Sequence, residues 1–273
     1  MKNKLLFLLF FINHFVTISQ CEDISVELTT NFSPFQISSI IESDGLRNGD
    51  DYKDATLYFP INNTENLKSI ILVPGYQATQ SSVALWAEYL AKRGIVSMTI
   101  GTNSLNDLPA IRADALIDAM ETIREENERV SSPLYHKIDI NNIAVGGWSM
   151  GGGGAQLAAK IDSSIKAVLS ITPWLWPNTL SELDLNHNTP VLIISGEVDP
   201  IAPNNQHSNV HYNYTPNSTP KLLFEVSEAD HNIPLDPSIG NGDLGNVAYA
   251  WLQLFLYGDM CYCEFLETDL LDQ

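Results

Sequence analysis

Residues 146–154 read Gly-Gly-Trp-Ser-Met-Gly-Gly-Gly-Gly, and within them Gly147, Ser149 and Gly151 form the pattern G-x-S-x-G. An apolar run over residues 143–147 leads into the pattern, and an alanine-rich segment with helical character follows it. A strand, a sharp turn and a helix in this order are typical of a turn that lifts a nucleophilic serine above a sheet. The neighbouring glycines favour this interpretation because they remove side chains that would collide in a strained turn. A glycine-rich turn could instead hold a phosphate, but no P-loop lysine follows the glycines and no G-x-G-x-x-G spacing is present.

Eight runs rich in β-branched and apolar residues predict the strands around this turn. Several of these runs are continuously apolar, which is typical of strands that are buried on both faces. The eight runs are 37–41, 55–59, 69–73, 95–100, 143–147, 165–171, 191–195 and 222–226.

Helical patterns lie between the later strands and after the last one, at 82–92, 108–123, 151–160 and 244–257. The apolar positions of the first two patterns are Leu85, Leu90 and Ala91, followed by Ile111, Ala115, Leu116 and Met120. Strands that alternate with helices predict an α/β fold, in which a mostly parallel sheet of eight to nine strands has helices on both faces. No gap is long enough for a cap domain, so we expect an open site at the strand ends.

The composition indicates one globular domain and excludes two other classes of protein. Of the 273 residues 44% are hydrophobic, which is too many for a disordered chain. Lys and Arg number 14 against 33 Asp and Glu, so the net charge is −19. A surface this acidic repels phosphate backbones, and nucleic acid is therefore not an expected partner.

The first nineteen residues differ from the rest and predict a secretory signal peptide. Lys2 and Lys4 precede an apolar run that is too short to span a bilayer comfortably, and small residues then provide a cleavage site. We therefore predict a signal peptide over 1–19 and a single catalytic domain over 20–273. A retained membrane anchor and a lipoprotein attached through Cys21 are the less favoured alternatives.

The three cysteines leave the disulfide state open. Export permits a bridge from Cys21 to Cys261 or to Cys263, but three surface thiols, or a lipidated Cys21, explain the same residues equally well. No group of Cys and His residues has the spacing of a zinc site, and we expect neither a metal nor a cofactor.

A nucleophilic serine needs a base and an acid, which in this kind of fold follow it at the ends of later strands. Asp199 follows the run 191–195, and His231 follows the run 222–226, so both are in the required order. Glu197 and Asp230 are alternatives for the acid, although Asp230 is badly placed to turn back onto the neighbouring imidazole.

The loop after the run 69–73 contains a candidate N–H donor for the oxyanion hole that such a site needs. Its Tyr76 N–H is the candidate to bind a developing oxyanion together with the N–H of Met150, which directly follows the serine. The Tyr76 ring could form one wall of an acyl pocket, and either Trp174 or Trp176 the facing wall.

Taken together, these motifs resemble the bacterial cutinases and the related poly(ethylene terephthalate) hydrolases over nearly the whole chain after the leader. The motifs are Pro74-Gly75-Tyr76, 147–151 with its glycine run, Pro173-Trp174, 199–203 and His231. The resemblance implies an α/β-hydrolase fold, a triad of Ser149, Asp199 and His231, and oxyanion donors at Tyr76 and Met150. It further implies a shallow cleft whose walls are Tyr76, Trp174 and Ile201, with His207 placed against the tryptophan ring.

The chain departs from these relatives in ways that bear on the substrate. Asn232 makes the rim beside the histidine more polar, and Leu175 and Trp176 add bulk after Trp174. We predict a secreted, monomeric serine ester hydrolase that acts through an acyl-enzyme, most simply on polyesters of the cutin or poly(ethylene terephthalate) type. A carboxylesterase or lipase for small esters is the alternative within the same fold, and a non-catalytic binding protein is the alternative from another class.

Overall fold

The computed structural model describes residues 34–62, 66–176 and 178–266. The predicted signal peptide and Cys21 lie outside the described residues. The strands are β1 (Ile37–Ile40), β2 (Tyr52–Pro60), β3 (Leu67–Val73), β4 (Val96–Thr102), β5 (Ile138–Trp148), β6 (Val168–Ile171), β7 (Val191–Gly196) and β8 (Lys221–Val226).

The eight strands form one mixed sheet in the order β1-β2-β4-β3-β5-β6-β7-β8. β1 pairs with β2, and β2 with β4, in antiparallel fashion, whereas the six strands from β4 to β8 pair in parallel. The α/β-hydrolase fold with a mostly parallel sheet is therefore confirmed. Because parallel strands end at the same edge, the loops after β3, β5, β6, β7 and β8 meet there.

Helices cover the two faces of the sheet. They are α1 (Ala84–Ala91), α2 (Pro109–Glu128), α3 (Met150–Ile161), α4 (Ser208–Tyr214), α5 (Asp243–Leu252) and α6 (Cys261–Glu264). One core contains buried residues of α2 and α3, and the other contains buried residues of α1 and α5. Successive residues of β3 alternate between them, with Ile71 in the first core and Ile70 in the second. This alternation explains the continuous apolar runs, since both faces of the central strands are covered.

Two of the apolar positions in the helical patterns lie outside the core. Leu85 and Ile111 are both exposed, whereas Leu90 and Leu116 on the same two helices are fully buried. Both exposed residues lie in the first turn of their helix, at the second and third positions. The helical repeat predicts which face is apolar but not whether the partner surface extends as far as the first turn.

The C-terminal segment bears on the cysteine question. Cys261 is disulfide-bonded, so the alternative of three thiols is wrong for this residue. A pairing with Cys21 stays a prediction, because Cys21 lies outside the described residues.

Among the helices in the part of the chain that the structure describes, none combines the length and the apolar character needed to cross a bilayer.

Candidate active site

Ser149 lies between the end of β5 and the start of α3, in a strained backbone conformation with φ 57° and ψ −120°. A Cβ on Gly151 would come within 2.3 Å of the Val73 carbonyl oxygen, and one on Gly147 within 2.5 Å of the Gly151 backbone. Only glycine fits at these two positions, because the end of β3 approaches Gly151 closely and the backbone of the turn itself approaches Gly147. The Ser149 N–H donates to the Ile171 carbonyl at 2.9 Å, so a bond from the neighbouring strand β6 also secures the turn.

Asp199 and His231 come together at the same edge of the sheet. His231 Nδ1 lies 2.6 Å from Asp199 Oδ2, and both residues are buried, as is Ser149. The loops after β7 and β8 bring the two side chains together, although 32 residues separate them in the sequence. An imidazole whose Nδ1–H donates to a carboxylate has its Nε2 free to accept a proton, which is the arrangement that a general base requires.

The surroundings of Asp199 favour its ionised form. Burial alone would raise the pKa of this carboxyl group. The hydrogen bond from His231 and the amide N–H groups of Ala202 and Ile201, both 2.8 Å from Oδ1, outweigh burial and lower the pKa below its ordinary value. The carboxylate is thus charged and fixed in position, so it can orient an imidazole and stabilise its cation.

His231 is also held through its backbone carbonyl, which accepts two hydrogen bonds. The Trp148 Nε1–H donates to the His231 carbonyl at 3.0 Å, and the Thr172 hydroxyl donates to it at 3.3 Å. The Trp148 and His231 rings lie 5.3 Å apart between centroids. Residues beside the serine turn and at the end of β6 therefore hold His231 in place.

The two alternative acids have other partners. Glu197 accepts hydrogen bonds from the Ser227 hydroxyl and the Glu228 N–H, and it is exposed. Asp230 accepts the N–H groups of Asn232 and Ile233 and thereby caps its own loop. Neither carboxylate bonds to the imidazole, so the geometry favours Asp199.

The loop after β3 lies directly against the serine turn. A Cβ on Gly75 would come within 2.8 Å of the Trp148 ring and 2.9 Å of the Ser149 Cβ. This contact places the N–H of the next residue, Tyr76, near the predicted nucleophile. Met150, the other predicted donor, is the first residue of α3, where backbone N–H groups have no partner within the helix.

Arg112 is a residue of this site that the sequence analysis missed. Its guanidinium donates to the carbonyls of Pro74 at 2.9 Å, Asp107 at 3.0 Å and Leu105 at 3.3 Å. The side chain is fully buried, and burial lowers its pKa to about 10. Arg112 therefore ties the loop that contains Tyr76 to the loop before α2. No motif in the sequence distinguishes it from the other arginines.

The residues predicted to form the cleft walls lie at the surface or close to it. Tyr76, Ile201 and Asn232 are exposed, and Trp174 is half-buried. The exposure of Tyr76 is consistent with the predicted wall. Leu175 is buried, where a Cβ on Gly153 would come within 2.7 Å of it. The expected bulk in the cleft therefore comes from Trp176 alone.

Trp174 contacts two rings. It stacks on His207 with centroids 5.8 Å apart and makes a T-shaped contact with Trp176, with centroids 4.5 Å apart. Behind His207, the buried His211 accepts through Nδ1 from Gln156 Nε2, which lies 2.9 Å away. Burial lowers the pKa of His207 to about 4 and that of His211 to about 3, so both imidazoles are neutral at pH 7.

Comparisons with known proteins agree with the family resemblance of the motifs. A sequence model of the family described as PETase, PET hydrolase-like, matches residues 24–270. Cutinase est1 of Thermobifida alba is 34% identical over 88% of this chain and 76% of its own length, and cutinase 2 of Thermobifida cellulosilytica is 34% identical over 88% and 86%. A bis(hydroxyethyl) terephthalate hydrolase of Streptomyces coelicolor is 32% identical over 77% of this chain and 64% of its own length.

Proposed function

The chain belongs to the PET hydrolase-like family and is a carboxylic ester hydrolase, and on this premise we propose that it cleaves polyesters through an acyl-enzyme formed on Ser149. The observation that supports the proposal most strongly is the 2.6 Å contact between Asp199 and His231 at the sheet edge where the serine turn lies.

In the proposed mechanism, Ser149 Oγ attacks the ester carbonyl carbon while His231 Nε2 accepts the hydroxyl proton. The negative charge that develops on the carbonyl oxygen is stabilised by the N–H groups of Tyr76 and Met150. His231 then returns the proton to the leaving alcohol, and the acyl group stays on Ser149. Water attacks this acyl-enzyme by the same route and releases the acid. Asp199 stays ionised throughout and stabilises the imidazolium.

The form of the proposed cleft favours the interpretation that the substrate is a long polymer chain. Its proposed walls, Tyr76, Trp174 and Ile201, come from three different loops at one open edge of the sheet. Aromatic and aliphatic walls suit the apolar repeating unit of a polyester, and a cleft that is open at the surface leaves room for the chain on either side. The names of the relatives, cutinase and bis(hydroxyethyl) terephthalate hydrolase, agree with this class of ester.

A small-ester carboxylesterase is the second candidate, and one observation favours it. The Trp176 ring makes a T-shaped contact with Trp174 and is itself exposed, so it adds bulk beside the cleft. Such bulk would hinder a polymer segment more than a soluble monomer.

The deciding experiment compares wild type with Ser149→Ala on p-nitrophenyl esters of increasing acyl length and on a poly(ethylene terephthalate) film. We expect wild type to react stoichiometrically with a phosphonate ester at Ser149 and the variant not to react. Loss of the nucleophile of such a triad lowers kcat by a factor on the order of 10⁶. A variant that keeps a tenth of the activity would contradict the assignment of Ser149, and activity on soluble esters alone would favour the carboxylesterase.

We further propose that residues 1–19 are removed on export and that the mature enzyme acts as a monomer. The positive leader with its short apolar run supports export, and the strong negative charge opposes self-association. N-terminal sequencing of the exported protein tests the first statement, and light scattering tests the second.

A further inference from the structure

Three large apolar side chains form a group beside the cleft that the proposed mechanism does not use. Leu105, Leu108 and Ile111 are 44%, 46% and 44% exposed, and we call this group the apolar shoulder. Single apolar side chains are common on protein surfaces, but here three lie within seven residues of one loop and helix start, so we consider them together as one surface.

The shoulder adjoins the loop that is proposed to bind the oxyanion. The Gln77 N–H donates to the Leu105 carbonyl at 2.8 Å, which places Leu105 beside the residue that follows Tyr76. On the other side, a Cβ on Gly154 would come within 2.9 Å of the Pro109 carbonyl oxygen, so the start of α2 packs against the first half of α3. The shoulder thus begins at Leu105, next to the residue that follows Tyr76 in the loop of the proposed cleft.

The loop that contains the shoulder is firmly held. The Ser104 N–H donates to the Asp107 carboxylate at 2.9 Å, and the Asp107 carbonyl accepts from Arg112 at 3.0 Å. These bonds fix the backbone of the loop, whose three apolar side chains are about half exposed.

We propose that the apolar shoulder is a docking surface for an insoluble, uncharged polyester and extends the cleft beyond Tyr76. This proposal rests on the proposed function, since it assigns a second contact to the same substrate. The segment 101–111 contains no Lys or Arg, and Arg112 is buried. No basic group of this segment is therefore available to bind an anionic lipid headgroup, and the net charge of −19 opposes docking of a second copy. An uncharged apolar solid meets neither obstacle.

The test uses Leu105→Asn, Leu108→Asn and Ile111→Gln combined in one chain. Leu108 is the N-cap of α2, where Asn is favoured, and Ile111 is the third helical residue, where Gln is well accepted. The folded structure should therefore tolerate the changes. The matched control combines Val130→Asn, Ile161→Asn and Leu183→Asn, whose side chains are 79%, 62% and 72% exposed. Val130 follows the C-terminal end of α2, and Ile161 is the last residue of α3, so both lie away from the helix starts at the site.

Adsorption is measured first, in the Ser149→Ala background, as depletion of protein from solution by a poly(ethylene terephthalate) film. We expect the shoulder variant to bind at least about tenfold more weakly than its parent, since three half-exposed apolar side chains lose their contact with the film. The control variant should bind within about twofold of its parent. With Ser149 present, the shoulder variant should hydrolyse the film more slowly by a similar factor while kcat/KM for soluble p-nitrophenyl acetate stays within about twofold.

Each other outcome overturns the proposal. Equal adsorption by parent and shoulder variant, or an equal loss in the control, would show that the shoulder is not the docking surface. A dimer seen by light scattering in the parent and lost in the variant would identify a second copy as the occupant, and binding to phosphatidylcholine vesicles in place of the film would identify a lipid surface. Adsorption of the inactive variants needs no turnover, so an enzyme inactive on every ester would contradict the proposed function and leave the adsorption result to judge the shoulder.

Discussion

Arg112 offers a sharp test of how the loop after β3 is held in place for catalysis. Replacing Arg112 with Met keeps most of the side-chain volume and removes the three donors that reach the carbonyls of Pro74, Leu105 and Asp107. The Leu105 carbonyl keeps the Gln77 N–H as a partner. The buried Pro74 carbonyl and the half-buried Asp107 carbonyl lose their bonds.

The size of the effect follows from these two carbonyls. A buried polar group without a partner costs about 1–3 kcal/mol, and the half-buried one costs less because water reaches it, so we expect a loss of about 2–4 kcal/mol. In a domain of about 250 residues, that corresponds to a Tm lower by about 4–8 °C. Because Pro74 lies two residues before Tyr76, we expect the proposed oxyanion donor to shift as well. Complete loss of one such donor lowers kcat by about 10²–10³, and a displaced loop should cost about tenfold to a hundredfold.

The assay measures Tm, kcat and KM on p-nitrophenyl acetate, and the rate of phosphonate labelling at Ser149. We expect kcat and the labelling rate of Arg112→Met to fall together, with KM nearly unchanged and Arg112→Lys regaining part of the loss. Arg124→Met, on the exposed side of the same helix with one bond to Glu121, is the control and should change none of these values. A lower Tm with wild-type kcat and labelling would refute the positioning role and leave Arg112 as a residue of stability alone.

Three further predictions concern the triad, the cleft and the pH dependence of stability. Asp199→Asn should lower kcat by about 10⁴, because the imidazole loses its charged partner and its preferred tautomer; activity above a tenth of wild type would contradict the role of Asp199. Trp174→Ala should slow hydrolysis of a polyester film by about tenfold and that of an acetyl ester much less, and equal losses on both would make Trp174 structural. Burial lowers the pKa of His187 to about 4, so the unfolded chain binds a proton at this imidazole more readily than the folded chain does. The free energy of unfolding therefore contains the full contribution of the neutral His187 above about pH 6.5, and this contribution falls as the pH decreases towards 4. Between pH 7 and pH 5 the expected change is about 2 kcal/mol, and thermal melts of His187→Leu should depend correspondingly less on pH over this interval, whereas an unchanged dependence would argue against a neutral buried His187.

The sequence alone determined the fold class and the positions of the proposed nucleophile and base, Ser149 and His231, whereas the contacts in the structure favoured Asp199 over Glu197 and Asp230. The sharp turn at Gly147 and Gly151 could be predicted because only glycine permits so close a backbone approach. The meeting of Ser149, Asp199 and His231 could be predicted from their order because parallel strands end at one edge of the sheet. Both arguments depend on local chemistry and on chain topology, which a linear sequence contains.

Tertiary structure alone decided the contacts that hold the site together. Arg112 bonds to a carbonyl 38 residues earlier, and the Trp148 indole bonds to a carbonyl 83 residues later. Both acceptors are backbone oxygens, which every residue possesses, so no side-chain pattern marks them in the sequence. The exposure of Ile111 was equally beyond prediction. The helical repeat is a local property, whereas burial depends on how far a neighbouring surface extends, and that distance is set only when the sheet and the helices pack.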